Sequence, residues 1–310
     1  MSLFQKELII SEQFEVKSNA TLFIGDRLDL INQIYKSEKK AELIITSPPY
    51  NLGKEYENVI PLEEYLKQQE ITIEACMSIL SDTGSICWQV GNFIKGDQRN
   101  KETFPLDILL YPIFKKFNLR LKNRIVWTFG HGLNENYRFS GRHETILWFT
   151  KNTRDFTFNL DSIRIPQKYP SKKSFKGNNV GNYSGNPLGK NPEDVWDMPN
   201  VKSNHVEKTE HPCQFPIGLI ERFVLGMTDP DDLVFDPYIG VGTTAVAALK
   251  HNRKAAGSDI EKKYIEIARE RIHSLNNGTL PYRDRDKPVY DPSLSNLSKV
   301  PDEWKQLRIQ

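Results

Sequence analysis

Two segments of the chain carry residues whose types and order suit chemistry. The first is Ser47-Pro48-Pro49-Tyr50, within the run Ile44-Ile45-Thr46-Ser47-Pro48-Pro49-Tyr50-Asn51. Two consecutive prolines fix the backbone and remove two donors, so the Ser47 and Pro48 carbonyls are expected to face outward as rigid acceptors. Tyr50 adds a flat aromatic face beside them. Rigid acceptors next to an aromatic plate suit an exocyclic amino group on a planar heterocycle. A bare Pro-Pro pair after a strand is usually only a turn; the full four-residue pattern at the end of an apolar run is more specific.

The second segment is Leu233-Val234-Phe235-Asp236-Pro237-Tyr238-Ile239-Gly240-Val241-Gly242-Thr243-Thr244. It reads as a strand, a glycine turn and a helix start. Gly240 and Gly242 let the backbone turn tightly and approach a ligand. A helix beginning near Thr243 presents free N–H groups that would seat a carboxylate or phosphate. The next apolar run ends at Asp259, twenty-three residues beyond Asp236. An acid there can accept hydrogen bonds from ribose hydroxyls. Taken alone, this segment leaves an ordinary strand–helix–strand turn and a dinucleotide site both open. The full G-x-G-x-x-G pattern is not met, because Ala245 stands at its third position.

These segments must be held by an α/β framework. Short apolar runs alternate with helical patterns, which is the signature of a mainly parallel sheet with helices on both faces. Strands are expected at Thr21–Ile24, Glu42–Thr46, Gly84–Val90, Arg124–Phe129, Thr145–Thr150, Asp232–Phe235 and Lys254–Ser258. Leu62, Tyr65, Leu66, Ile73, Cys76, Met77 and Leu80 recur at helical spacing. Further helices are expected from Phe215 to about Leu225, from Thr243 and from Lys262. Between Lys151 and His205 the chain is rich in Gly, Asn, Ser, Lys and Pro with no lasting period, which implies irregular, exposed structure. After Asn276 it is polar and Pro-punctuated, as for an extended strap. The expected division is therefore 1–150, 151–205 as an insertion, 206–275, and a tail 276–310.

The chain's 310 residues, 38% hydrophobic and 26% charged, are enough for a real core and exclude fibrous or wholly disordered classes. No apolar run reaches membrane-spanning length, and the amino-terminal stretch lacks a secretory pattern. Cys76, Cys87 and Cys213 are an odd number without CxxC spacing, so neither disulfides nor zinc is indicated. His205, His211 and Cys213 lack a fourth partner at ligand spacing. A cytoplasmic, reduced, metal-free protein is expected.

The net charge of +2 conceals a pattern. Between Lys115 and Lys190 stand fifteen basic and four acidic residues, a local +11, which leaves −9 on the rest. Trp127, Phe129, Tyr137, Phe139, Trp148, Phe156, Phe158, Tyr169, Phe175 and Tyr183 are interleaved with those charges. Basic clusters are often only solvated faces, but this mixture suits a polyanion that also offers bases for stacking.

In these residues the chain closely resembles the β group of amino-methylating DNA methyltransferases, which use S-adenosylmethionine. Ser47-Pro48-Pro49-Tyr50 matches the family's (Asp/Asn/Ser)-Pro-Pro-Tyr catalytic motif, and the segment from Asp236 to Thr244 matches its cofactor motif. The catalytic motif comes first, with the variable segment between, as in that circularly permuted group. The likeness covers about residues 20–275 and implies a Rossmann-like methyltransferase sheet with a target-recognition insertion. Tyr238 and Ile239 depart from the more usual Phe-Ala or Phe-Ser, and Val241 from a small Ser, which crowds the loop without removing a glycine.

The resemblance implies roles residue by residue. Ser47, Pro48, Pro49 and Tyr50 would be catalytic. Asp236, Pro237, Tyr238, Gly240, Gly242, Thr243 and Thr244 would hold the cofactor, with Asp259 on its ribose and Asp26 near its adenine. Gln214 and Phe215, within His211-Pro212-Cys213-Gln214-Phe215-Pro216, match the methionine-side motif. Arg138, Phe139 and Arg142, with His143-Glu144, fit the late catalytic-face motif. Arg138, Phe139 and Arg142, together with Arg164, Lys168, Lys172, Lys173 and Lys176 of the insertion, are expected on DNA.

The expected reaction transfers a methyl group from S-adenosylmethionine, leaving S-adenosylhomocysteine, to a base flipped out of duplex DNA. Ser at the first motif position favours cytosine N4 within the family; adenine N6 is the alternative. A restriction-modification setting follows from the resemblance, with a companion endonuclease on the same site and a monomeric or homodimeric enzyme. Cytosine C5 chemistry would use a Pro-Cys nucleophile, but Pro212-Cys213 precedes the methionine-side helix, and Cys213 is expected to be structural. A non-catalytic DNA-binding protein would need a damaged motif, and Asn rather than Ser47 would be usual in a protein-modifying relative.

Overall fold

The computed structural model describes residues 8–50, 59–130, 132, 134–289 and 299. In chain order the strands are β1 (Ile10–Ser11), β2 (Ala20–Ile24), β3 (Ala41–Thr46), β4 (Leu80–Val90), β5 (Asn92–Lys95), β6 (Glu102–Pro105), β7 (Arg120–Thr128), β8 (His143–Thr150), β9 (Val195–Asp197), β10 (Leu233–Asp236) and β11 (Lys254–Asp259). The helices are α1 (Arg27–Lys36), α2 (Leu62–Ile79), α3 (Leu106–Lys116), α4 (Ile217–Met227), α5 (Thr243–Lys250) and α6 (Lys262–Asn276).

Among the described residues the large sheet runs β1-β2-β11-β10-β3-β4-β8-β7-β9. Only β8 runs against its neighbours. Every residue of β3 is buried, because alternate side chains point to opposite faces and both faces are covered. Leu43 and Ile45 join Cys87, Ile146 and Trp148 in a core with Phe223 of α4, Ala245 of α5 and Ile265 of α6. Ile44 joins Ile86, Trp88, Leu147 and Phe149 in a second core with Leu30 of α1, Ile73 of α2 and Phe114 of α3. This is a doubly wound α/β sheet, as the alternation of patterns implied.

The strand order reverses between β10 and β3. From β10 the chain returns through α5 to β11 on one side, and from β3 through α2 to β4 on the other. Ligands of such sheets lie outside the carboxyl ends at this reversal. The Ser47 and Gly240 segments both leave the sheet there.

The expected strands are present with ends shifted by one to four residues. Two helices were not anticipated. In α3, Pro112 lies inside the helix and interrupts a helical pattern. In α1, Asp26 is the N-cap, its Oδ1 accepting from the Leu28 N–H at 2.8 Å, a role for which Asp is favoured. The segment 151–205 is irregular but anchored at both ends. Phe158 stacks on Trp148 at 5.4 Å, the Asn159 N–H donates to the Gly226 carbonyl at 2.7 Å, and β9 joins the sheet edge beside β7. Between these anchors, paired backbone bonds between Ile165 and Lys190, 3.0 and 2.8 Å, close off a protruding lobe. The tail crosses the domain: the Arg283 N–H donates to Glu207 Oε1 at 3.0 Å and Lys250 Nζ sits 3.7 Å over the Tyr282 ring. Among the described residues, no helix is long and apolar enough to cross a membrane.

Candidate active site

The two motif segments meet at one buried carboxylate. Asp236 Oδ1 accepts from the Thr46 hydroxyl at 2.5 Å and from the Tyr238 N–H at 3.0 Å, while Oδ2 accepts from the Thr244 hydroxyl at 2.6 Å. Burial pushes this carboxyl up to about 6, against the lowering effect of its three donors. The carboxylate thereby ties the last residue of β3 to the first turn of α5.

Above it opens a cavity of about 280 Å³, close to the smallest size usual for small-molecule sites, about 300 Å³. One wall is the glycine turn. Gly240 (φ 49°) and Gly242 (φ 76°) are both left-handed, and a Cβ at Gly242 would come within 2.6 Å of the Ala268 Cβ. Glycine is therefore required at 242 by conformation and by space. Asp259, at the end of β11, accepts from the Gly240 N–H at 3.1 Å and the Glu261 N–H at 2.8 Å. Burial raises its carboxyl to about 6. From behind, Arg271 Nη1 donates to the Val241 carbonyl at 2.6 Å and Thr243 Oγ1 at 3.0 Å, fixing the loop's outer turn.

The opposite wall is Ser47-Pro48-Pro49-Tyr50 with Tyr65 and Gln69 of α2. Tyr50 is buried, and its hydroxyl lies 2.9 Å from Ser47 Oγ. Tyr50 Oη also donates to Glu144 Oε2 at 3.4 Å, and Gln89 Nε2 donates to the same oxygen. Burial pushes the Glu144 carboxyl up to about 7. His211, Cys213, Gln214 and Phe215 supply a third side. His211 packs on Tyr264 at 4.5 Å, and burial lowers its imidazole to about 4, so it is neutral near pH 7.

Of the expected site residues, Ser47, Pro48, Pro49, Tyr50, Gln214, Phe215, Pro237, Tyr238, Gly240, Thr243 and Asp259 line this one cavity. Asp26, Asp236, Gly242 and Thr244 lie just outside it: Asp26 caps α1 and pairs with Arg27, and Asp236 with Thr244 forms the floor bond. Tyr238, Ile239 and Val241, expected to crowd the loop, all line the cleft; Tyr238 is held from behind. Its ring tucks against Trp88 and its hydroxyl reaches Thr72 Oγ1 at 3.2 Å. Cys213, expected to be structural, is exposed in the wall. Sequence reasoning did not find Gln69, Tyr264 or Ile260, whose only signal is position on a helix face or one residue past a strand. Nor did it give Glu144 a separate task. Among the described residues, no group of three or more His, Cys, Asp or Glu side chains converges as a metal site.

The residues expected on DNA fall into two groups. Lys168, Lys172, Lys173 and Lys176 are exposed on the protruding lobe, with Lys168 over Tyr169 and Lys173 over Tyr183, both at 5.7 Å. Phe175 is 74% exposed and Phe139 98%. Arg164, by contrast, is committed at the base of the lobe, bonding Asp161 Oδ1 at 2.6 Å and the Gly189 carbonyl at 3.1 Å. Arg138 pairs with Glu135, and Arg142 with Asn134.

A doubly wound sheet with a small-molecule-sized cleft at its reversal point and a basic, aromatic lobe defines a ligand-binding α/β architecture. Comparison with known proteins fixes the family. Residues 41–270 match the family model described as "DNA methylase". Type II methyltransferase M.BglII from Bacillus subtilis is 49% identical over 247 residues, 80% of this chain and 67% of that one. Two solved structures share the fold. PvuII DNA methyltransferase (cytosine-N4-specific) has a TM-score of 0.62, 21% identity and coverage of 87% of this chain and 96% of that one. A DNA modification methylase from Thermus thermophilus, complexed with S-adenosyl-L-methionine, has a TM-score of 0.59, 22% identity and coverage of 87% and 99%. The chain belongs to the family of DNA methyltransferases that modify exocyclic amino groups.

Proposed function

We propose that this methyltransferase modifies the N4 amino group of a cytosine flipped out of duplex DNA. The observation that carries the reading is that Ser47-Pro48-Pro49-Tyr50 and the turn residues Gly240 and Val241 line one cavity, joined beneath by Thr46 and Asp236. A hydroxyl residue, Ser47, at the first motif position supports cytosine; adenine N6 is the alternative.

The residues present fit S-adenosylmethionine. Two left-handed glycines leave room along the turn, the free N–H groups at the start of α5 suit its carboxylate, and Asp259 suits its ribose hydroxyls. Gln214 and Phe215 would flank its methionine end and Asp26 lies toward its adenine. When bound, it supplies an electrophilic sulfonium methyl. The protein's task is to make the amine nucleophilic. The nitrogen lone pair of cytosine's amine is delocalised into the ring. Acceptance of its two hydrogens by Ser47 Oγ and the Pro48 carbonyl favours the pyramidal form, and these bonds strengthen as positive charge develops. Tyr50 gives the flipped base a face to stack on. Alignment of the two reactants supplies much of the remaining rate.

A base in a duplex must leave the stack to reach this cavity. The lobe between Ile165 and Lys190 is the part proposed to track the DNA, with Arg138, Phe139 and Arg142 nearer the cleft. The segments 1–150 and 206–275 would then act as the catalytic and cofactor halves of one domain, 151–205 as the recognition insertion and 276–310 as a strap. A cytoplasmic restriction-modification role beside an endonuclease of the same specificity goes with this reading. Methylation of duplex DNA with labelled S-adenosylmethionine, followed by nucleoside chromatography, tests it. Label in N4-methylcytosine is expected; label in N6-methyladenine would assign the alternative base, and no transfer would overturn the reading.

A further inference from the structure

Glu144 is a carboxylate at the catalytic wall that the steps above do not use. It is the second residue of β8, and pairing of Gln89 with Ile146 puts Gln89 and Glu144 on one face of the sheet. Gln89 Nε2 and Tyr50 Oη both donate to Glu144 Oε2. The 3.4 Å from Tyr50 is long for an O–H···O bond, as catalytic bonds often are before substrate arrives. A tyrosine hydroxyl has one hydrogen. With that hydrogen aimed at Glu144, the Tyr50 oxygen can only accept, so at 2.9 Å Ser47 must be the donor. Ser47 then meets the pocket with its lone pairs. The carboxylate at the far end therefore sets the polarity of the chain and makes Ser47 an acceptor for an amine.

We propose that Glu144 is the terminal proton acceptor of methyl transfer, reached from the amine nitrogen through Ser47 and Tyr50. The inference rests on the amino-methylation reading of the pocket. As the nitrogen–carbon bond forms and the carbon–sulfur bond breaks with its electron pair staying on sulfur, one surplus proton is left on nitrogen. That proton passes to Ser47 Oγ, the Ser47 hydrogen passes to Tyr50 Oη, and the Tyr50 hydrogen passes to Glu144. A cationic sulfonium and a carboxylate become a neutral thioether and a carboxylic acid, so charge and atoms balance. Glu144 suits the task because burial brings its carboxyl to about 7, and a base works best with a pKa near the working pH. The titratable group in contact with it is Tyr50, which itself faces Tyr65 of α2 and Cys213; His143 precedes it on β8, and Arg142 stands just before that strand.

Two measurements test this on the full-length protein. Difference infrared spectra of the cofactor-free protein, wild type against Glu144→Gln, should show one carboxylic acid titrating near pH 7. In Tyr50→Phe, which removes a donor to the carboxylate, that midpoint should rise. Single-turnover methylation of duplex DNA should accelerate about tenfold per pH unit below that midpoint in wild type and then level. Glu144→Gln should be about a hundredfold slower and lack this limb, with cofactor and DNA affinities unchanged, and Glu144→Asp should restore part of the rate. Wild-type rate in Glu144→Gln, or an infrared midpoint in the ordinary carboxylate range, overturns the proposal. If Glu144→Gln does not fold, Tyr50→Phe decides alone: it keeps the ring but must lose the same pH limb. A wild type that methylates no amino group sinks the underlying reading; an active wild type indifferent to Glu144 sinks only the relay.

Discussion

Thr46 and Asp236 lie 190 residues apart in the chain, and the Thr46 hydroxyl donates to the Asp236 carboxylate at 2.5 Å. Thr46 is the last residue of β3, immediately before Ser47. Asp236 is the last residue of β10, and its second oxygen holds Thr244 in the first turn of α5. One buried acid therefore sets the distance between the amine-facing wall and the glycine turn. Because methyl transfer depends on alignment, with about 1 Å of misplacement costing as much as 10²-fold in rate, this bond acts on function through geometry.

Thr46→Val keeps the shape and removes the donor. Its cost is expected at ~1–3 kcal/mol, read by chemical denaturation. The sign of its pH dependence follows from Asp236. The folded carboxyl lies near 6, above its ordinary 3.8, so the group's contribution to stability is fullest below about 3.8 and is lost as pH rises through about 6. Removing a donor raises the folded value further. The variant should therefore be more destabilised relative to wild type at pH 8 than at pH 5, and equal losses at both would mean that the carboxylate is not the partner.

Asp259 makes cofactor affinity pH-dependent on the proposed assignment. Burial holds its carboxyl near 6, and ribose hydroxyls favour the ionised form. Titration calorimetry with S-adenosylmethionine should give constant affinity above about pH 6.5 and weakening by up to tenfold per unit below 6. Asp259→Asn should bind more weakly at pH 8 and lose most of that dependence. A wild-type affinity flat from pH 5 to 8 would remove Asp259 from the ribose.

Ser47→Ala removes one acceptor from the amine while leaving the glycine turn untouched. By analogy with loss of a single donor to a developing charge, about 10²–10³-fold in kcat, single-turnover transfer should fall about a hundredfold. S-adenosylmethionine affinity should change less than about twofold. Full activity would mean that Ser47 does not hold the amine.

The framework was legible in the sequence because β3, β10 and the later parts of β4 and β8 are short, largely apolar runs buried on both faces. The two motifs were legible because proline and glycine constrain backbone wherever they stand. What was not legible depended on through-space pairing. Asp236 was expected on the cofactor as one residue of a motif, and only the fold shows it as the floor bond between the two segments; that Asp26 caps α1 was equally unreadable. Arg164 carried the same charge as Lys172, but its ion pair with Asp161 and its bond to Gly189 engage it at the base of the lobe. Glu144 follows Arg142-His143 in sequence, and only the register of β8 on β4 shows it behind Tyr50.

The basic lobe converts the concealed charge pattern into a measurable slope. Lys172, Lys173 and Lys176 are exposed beside Phe175 and Tyr183, on the segment that carries +11 while the remainder carries −9. Each phosphate neutralised by a lysine contributes about 0.9 to the log–log dependence of DNA affinity on salt. Replacing all three with Gln should flatten that slope by about 2–3 and weaken binding most at low salt, with S-adenosylmethionine affinity unchanged. Arg164→Gln should behave differently: it loosens the bonds at the base of the lobe, so it should lower thermal stability while shifting the slope by less than about 1. A triple variant with the wild-type slope would place the DNA on another face of the molecule.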